Sequence, residues 1–130
     1  MKICTNIEQS KKLAEFLPKE NADMYWSMDE IPFLAFPVND IVTDWEYAME
    51  NGMLPAWSLA ALLGVLPNDL DASTVLSNGG WDVDTMEHKK GKWLCDYVHD
   101  LDSKCHTTSA NNPVDACVAM IEKLHEQNLL

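Results

Sequence analysis

Five tryptophans, at positions 26, 45, 57, 81 and 93, are spread along a chain of 130 residues, so nearly every segment carries a large apolar side chain that needs burial. With 47% hydrophobic residues the chain has the material for one contiguous core. The expectation is a single domain spanning residues 1–130, without a long disordered tail.

Charge narrows the partners. The formal net charge is −12, and all nine basic residues are lysines, because the sequence has no arginine. Arginine supplies the planar fork that grips phosphate in two places, and a nucleic-acid binder rarely does without it. No lysine falls between Glu20 and Glu87, a stretch with thirteen acids (Glu20, Asp23, Asp29, Glu30, Asp40, Asp44, Glu46, Glu50, Asp69, Asp71, Asp82, Asp84 and Glu87). Such a field repels DNA, RNA and anionic lipid and leaves a protein with a basic surface as the partner that charge favours. The plain alternative is a solvated acidic surface that maintains solubility. Met1 to Lys12 lacks the apolar core of an export signal, and the longest apolar run, Ala56 to Leu66, is far short of the roughly 20 residues that cross a bilayer. A cytoplasmic protein with no membrane association is expected, with Cys4, Cys95, Cys105 and Cys117 as free thiols.

Thr5 and Glu8 have capping-box spacing, which predicts a helix from about Thr5 to Phe16, before Pro18. Asp23 to Met28, with Tyr25 and Trp26 adjacent, suits a strand. Pro32 and Pro37 make Asp29 to Asn39 an irregular connection. Asp40 can cap a helix with Ile41, Trp45, Ala48 and Met49 on its apolar face, ending at Gly52. Pro55 then opens another helix, whose Leu59, Leu62, Leu63 and Leu66 recur at helical spacing up to Pro67. A strand is expected at Ser73 to Ser77. Trp81, Val83 and Thr85 alternate with polar neighbours, as do Trp93, Cys95 and Tyr97, and Lys89-Lys90-Gly91 fits a hairpin loop between them. In that register Val83 opposes Tyr97, Asp84 opposes Asp96, and the six alternating residues share one buried face. After a polar connection from Asp100 to Asn111, Asn112 caps the last helix, Pro113 takes its first position, and Val114, Cys117, Val118, Ile121 and Leu124 form its stripe. The fold class is therefore α+β, an antiparallel sheet of three or four strands centred on the Trp81 to Val98 hairpin with about four helices packed on it.

Three places could hold chemistry. Asp82, Asp84 and Asp96 fall on one face of the expected hairpin as an acidic cluster, which needs solvation, a retained proton or a bridging cation. Cys95, His99, Cys105 and His106 are metal-ligand types, but their spacing is poor for zinc: Cys95 and His99 on one strand would be about 13 Å apart, so no metal or cofactor is expected. Ile31, Phe33, Leu34 and Phe36 form an apolar segment that either lids the core or serves as an interface. No glycine-flanked nucleophile, phosphate loop or His-Glu-x-x-His helix occurs, and an enzyme would need a pocket built on Asp82, Asp84 and Asp96 or on Cys105 and His106.

The opening Met1-Lys2-Ile3-Cys4-Thr5, the middle Pro55-Ala56-Trp57-Ser58-Leu59 and the late Asn112-Pro113-Val114-Asp115-Ala116-Cys117 resemble segments of a group of small, acidic, uncharacterised proteins from gut bacteria and their mobile elements. The similarity touches about a third of the chain and coincides with caps and core faces, so it implies a bacterial cytoplasmic setting and transfers no catalytic residue. The function expected is a non-enzymatic interaction or accessory protein. The alternatives are an acidic nucleic-acid mimic that inhibits a DNA-binding protein and a small enzyme with an unrecognised pocket.

Overall fold

Asn6, one residue later than the predicted cap, starts the first helix. In the computed structural model, which describes residues 2–27, 33–35, 53–69, 71–100 and 104–130, the chain divides into two compact units. One is Ile3–Ala61, and the other is Leu62–Leu130 together with Lys2.

In the first unit, helix α1 (Ile7–Ala14) has a reciprocal capping box. The Asn6 side chain accepts the Gln9 amide at 2.8 Å, and the Gln9 side chain accepts the Asn6 amide at 3.0 Å. Thr5 is unavailable as the cap because it is fully buried. Its hydroxyl accepts the Trp57 amide at 3.0 Å and pairs with the Ser10 hydroxyl at 2.8 Å.

Strand β1 (Met24–Ser27) appears where the aromatic pair predicts it. It is flanked antiparallel by β2 (Phe33–Ala35) and β3 (Leu54–Ala56). Both flanking strands correct the sequence reading. The interval between Pro32 and Pro37 is long enough for a three-residue edge strand, so Phe33–Ala35 joins a ladder instead of remaining irregular. Pro55 sits opposite Tyr25 on the other edge strand, where a residue without an amide hydrogen is tolerated, and does not open a helix. Helix α2 (Leu59–Val65) follows only after Ser58, whose hydroxyl accepts the Ala61 amide at 3.3 Å. Cys4, Met24 and Ala56 cluster in the core of this unit with Trp26 against them, Leu13 and Trp57 are also fully buried, and α1 packs on β3. The helix predicted for Asp40 to Gly52 lies outside the described residues.

The second unit contains β4 (Ala72–Asn78), a short ribbon of β5 (Trp81–Asp82) and β6 (Glu87–His88), then β7 (Trp93–His99), β8 (Lys104–Ala110) and helix α3 (Pro113–Glu126). The three long strands form an antiparallel sheet in the order β4-β7-β8. The expected Trp81 to Val98 hairpin is therefore replaced: Trp81 pairs with His88 and Asp82 with Glu87, while β7 pairs with β4. The cause is Asp82, whose side chain accepts the amides of Asp84 (2.9 Å) and Thr85 (3.2 Å) and reverses the chain after two strand residues. The six alternating residues consequently do not share a buried face: Cys95 and Tyr97 are buried, whereas Trp81 is half-exposed and Thr85 exposed. Between β4 and β5, Gly79 (φ +81°) and Gly80 (φ +137°) take backbone conformations that side chains disfavour.

The strand predicted at Ser73 to Ser77 is present, one residue longer at each end. The segment expected as a polar connection contains β8, because Thr107 and Thr108 are β-branched and their hydroxyls find partners within the unit. The last helix matches its prediction, with the Asn112 side chain accepting the Asp115 amide at 2.9 Å and Pro113 at the start. Its buried stripe, Val114, Cys117, Val118, Ile121 and Leu124, covers one face of β7 and β8. The class is thus α+β with antiparallel sheets, and the described residues hold three α-helices, not about four. Among them no helix is long and apolar enough to cross a membrane.

Replacing Thr5 by Val keeps the shape of that side chain but leaves the buried Trp57 amide and the Ser10 hydroxyl without its oxygen. Urea denaturation followed by tryptophan fluorescence should show a loss of about 1–3 kcal/mol for Thr5→Val. Thr5→Ser, which retains the hydroxyl, should lose clearly less.

Candidate functional site

The turn that Asp82 closes carries Asp84 to the outer edge of β8. There Asp84 Oδ2 accepts the Thr107 backbone amide at 3.0 Å and bonds the Lys123 ammonium of α3, while His106 Nδ1 lies 3.9 Å from Oδ1. Asp96, on β7, accepts the Thr107 hydroxyl at 2.6 Å. Thr107 therefore brings Asp84 and Asp96 together, one on its amide and the other on its side chain. They do not oppose each other in a ladder as expected: Asp96 faces Thr107 on β8 and Val75 on β4. Asp82 stays apart, buried and committed to its turn.

Burial pushes the Asp84 carboxyl up, but the hydrogen bond from Lys123, the Thr107 amide, and the charges of Lys123 and His106 together outweigh it. The carboxyl is held below its ordinary range and is ionised at neutral pH. This group is a fastener. It ties the turn, the last strand and the last helix with matched charge, and it occupies a backbone donor at the sheet edge that would otherwise face outward.

The cysteines and histidines do not converge. Cys95 and Cys117 meet between β7 and α3, both fully buried, and the Cys95 thiol is pushed up by its hydrogen bond with Cys117 and by burial. Cys105 is exposed, yet desolvation and the carboxylates of Asp96 and Asp84 push its thiol up as well. Successive strand residues point to opposite faces, so Cys105 and His106 diverge, and His106 stacks on Tyr97 with ring centroids 6.2 Å apart. His99 lies at the far end of β7 with its ring 6.4 Å from that of Tyr97. Among the described residues, no three His, Cys, Asp or Glu side chains are placed to hold a metal ion. Of the apolar segment, Phe33 and Leu34 have their backbone in β2, and Ile31 and Phe36 lie outside the described residues.

The other edge of this sheet is built differently. The Thr107 amide turns outward to Asp84, so Asp96 and Thr107 do not exchange ladder bonds, and Asp96 turns its backbone toward Val75. By the same alternation Ala72, Thr74 and Leu76 direct their amides and carbonyls away from β7. Ala72 is satisfied locally, its amide bonding Asp69 Oδ1 at 3.0 Å and its carbonyl accepting the Asp69 amide at 2.8 Å. Thr74 and Leu76 face an edge on which no strand pairs among the described residues. The strand has neither proline nor charge, and the Val75 side chain is 55% exposed. Sequence reasoning missed this edge because it paired β7 with the wrong segment. Thr107 and Lys123 escape notice in the sequence because the polar composition of β8 predicts a connection there.

Compared with models of protein families, with curated proteins and with solved structures, the chain has no match.

The lowered Asp84 carboxyl contributes stability that is full above the unfolded carboxylate range, about pH 4, and is lost as pH falls through the folded value. Asp84→Asn should cost about 1 kcal/mol at neutral pH and flatten that acid limb in urea titrations at several pH values. A thiol reagent should titrate Cys105 in the native protein and reach buried Cys4, Cys95 and Cys117 only after denaturation.

Proposed function

We propose that this chain is a non-enzymatic interaction protein of the bacterial cytoplasm, of the kind encoded with mobile elements, and that it engages its partner along the outer edge of β4, where no strand pairs among the described residues. The observation that carries the reading is the outward row at Thr74 and Leu76 beside half-exposed Val75, on a strand without the charges or proline that normally blunt an edge. Main-chain bonds to such an edge supply affinity, and alternate side chains supply selection. The resemblance to small acidic proteins of gut bacteria supports the setting and adds no chemistry.

The titratable groups support binding over catalysis. Asp84 is matched by Lys123, Asp96 by the Thr107 hydroxyl, and the Cys95 and Cys117 thiols by each other inside the core. The acidic mimic of nucleic acid draws less support, because Asp82 is buried in its turn and Asp84 is neutralised within the unit, so neither serves an outward stripe.

A library of extended peptides selected against sparsely tethered protein tests the edge. Enriched peptides should protect the Thr74 and Leu76 amides from hydrogen exchange and should fail to bind Val75→Lys. Peptides that instead protect a different surface, or no enrichment at all, would refute the proposed edge.

A further inference from the structure

We infer that the occupant of the β4 edge is a second copy of the same strand, paired antiparallel about a two-fold axis at Val75. The inference rests on the edge reading above and adds the identity of the partner. In this register Thr74 of one protomer meets Leu76 of its partner, so the two outward-facing backbone pairs satisfy each other on both sides of the axis. The half-exposed Val75 side chains become direct neighbours on one face. The sheets of the two protomers would then continue as one, in the order β8-β7-β4-β4-β7-β8.

Charge at the two ends of β4 selects this arrangement over parallel pairing. The beginning of the strand is acidic: Asp69 caps Ala72, Asp71 is exposed, and the Asp100 amide bonds the Asp71 carbonyl at 2.8 Å, which brings a third carboxylate there. The end of the strand is basic. Its Gly79 amide bonds the Lys92 carbonyl at 2.7 Å, and the Lys89 amide bonds the Gly80 carbonyl at 2.7 Å. Lys89 and Lys90 therefore stand at that end, with Glu87 offsetting Lys89 through a 3.0 Å ion pair, while Lys92 directs its ammonium away to the Asn111 side chain past β8. Antiparallel pairing sets the acidic end of each protomer against the basic end of its partner, twice over. Parallel pairing would set acid against acid and lysine against lysine. In a chain of net charge −12, the local match lets two acidic molecules approach along this line.

Sedimentation equilibrium of the whole chain over a range of concentrations should give a species of twice the 14.7 kDa chain mass, which weakens as ionic strength rises. Val75→Lys opposes two ammonium groups at the axis and should weaken association at least tenfold without altering the circular dichroism spectrum. Charge reversal supplies a readout that misfolding cannot imitate. The double variant Asp71→Lys with Asp100→Lys and the double variant Lys89→Glu with Lys90→Glu should each be largely monomeric, because each repels itself at both ends. Mixed together they should associate again, since both ends of the mixed pair attract.

A monomer at every concentration would overturn the inference, as would a dimer indifferent to Val75→Lys and to both charge reversals. So would full exchange protection of the Thr74 and Leu76 amides in a monomer, which would place another segment of the chain on that edge. A monomer whose β4 still captures selected peptides would sink the self-pairing alone and leave the edge reading standing. A monomer that captures none would remove both.

Discussion

The direction in which one amide points organises the Leu62–Leu130 unit. Thr107 sends its N–H outward to Asp84, and in an antiparallel ladder that single choice decides which residues of each neighbouring strand face inward. It assigns Asp96 to β4, turns Thr74 and Leu76 to the far edge, and places Cys95 and Tyr97 beneath α3. The Asp84 carboxylate makes the choice secure, because the Lys123 ammonium holds it against the strand from the side of the helix. A shift of β8 by one residue would strand that carboxylate and turn every β8 side chain to the opposite face.

What could be read in the sequence was local, and what could not be read was pairing. The last helix was legible to the residue because Asn112, Pro113 and a five-position apolar stripe all act within a few turns. β1 and β4 were legible through side chains that fit a pleated surface. The hairpin at Trp81 failed for a specific reason. Alternation over Trp81, Val83 and Thr85 has the period of a strand, but Asp82 has a competing use for its side chain, and two backbone amides captured by one carboxylate outweigh the pattern. A strand running from Trp81 to Thr85 would occupy the side of β7 that β4 takes, and the polar composition of β8 gives no sign that it fills the other side.

The acidic cluster shows how a site can be half legible. Asp84 and Asp96 were singled out for proximity, and they do converge, but through Thr107 and not by facing each other. The difference changes the chemistry. Two opposed carboxylates would invite a proton or a cation, whereas two carboxylates with separate donors, one of them backed by an ammonium, need neither. Lys123 could not be matched to Asp84 from sequence because the pair lies 39 residues apart and meets only when β8 is in place.

The sheet thus has one edge closed by chemistry and one left to the backbone. Protecting an edge requires a group that can reach the outward donors, and on β8 the ribbon delivers Asp84 for that purpose. At β4 the corresponding device is shorter: Asp69 satisfies the backbone of Ala72, the Thr74 hydroxyl donates to the Pro67 carbonyl at 2.9 Å, and no strand among the described residues pairs along the rest of that edge. Strands that must avoid association carry lysine or proline along their length. Here the lysines stand beyond the end of β4 and the acids before its beginning, so charge orients an approaching strand and does not exclude it. That placement is the physical reason for treating the edge as an interface and for expecting its partner to run in the opposite direction.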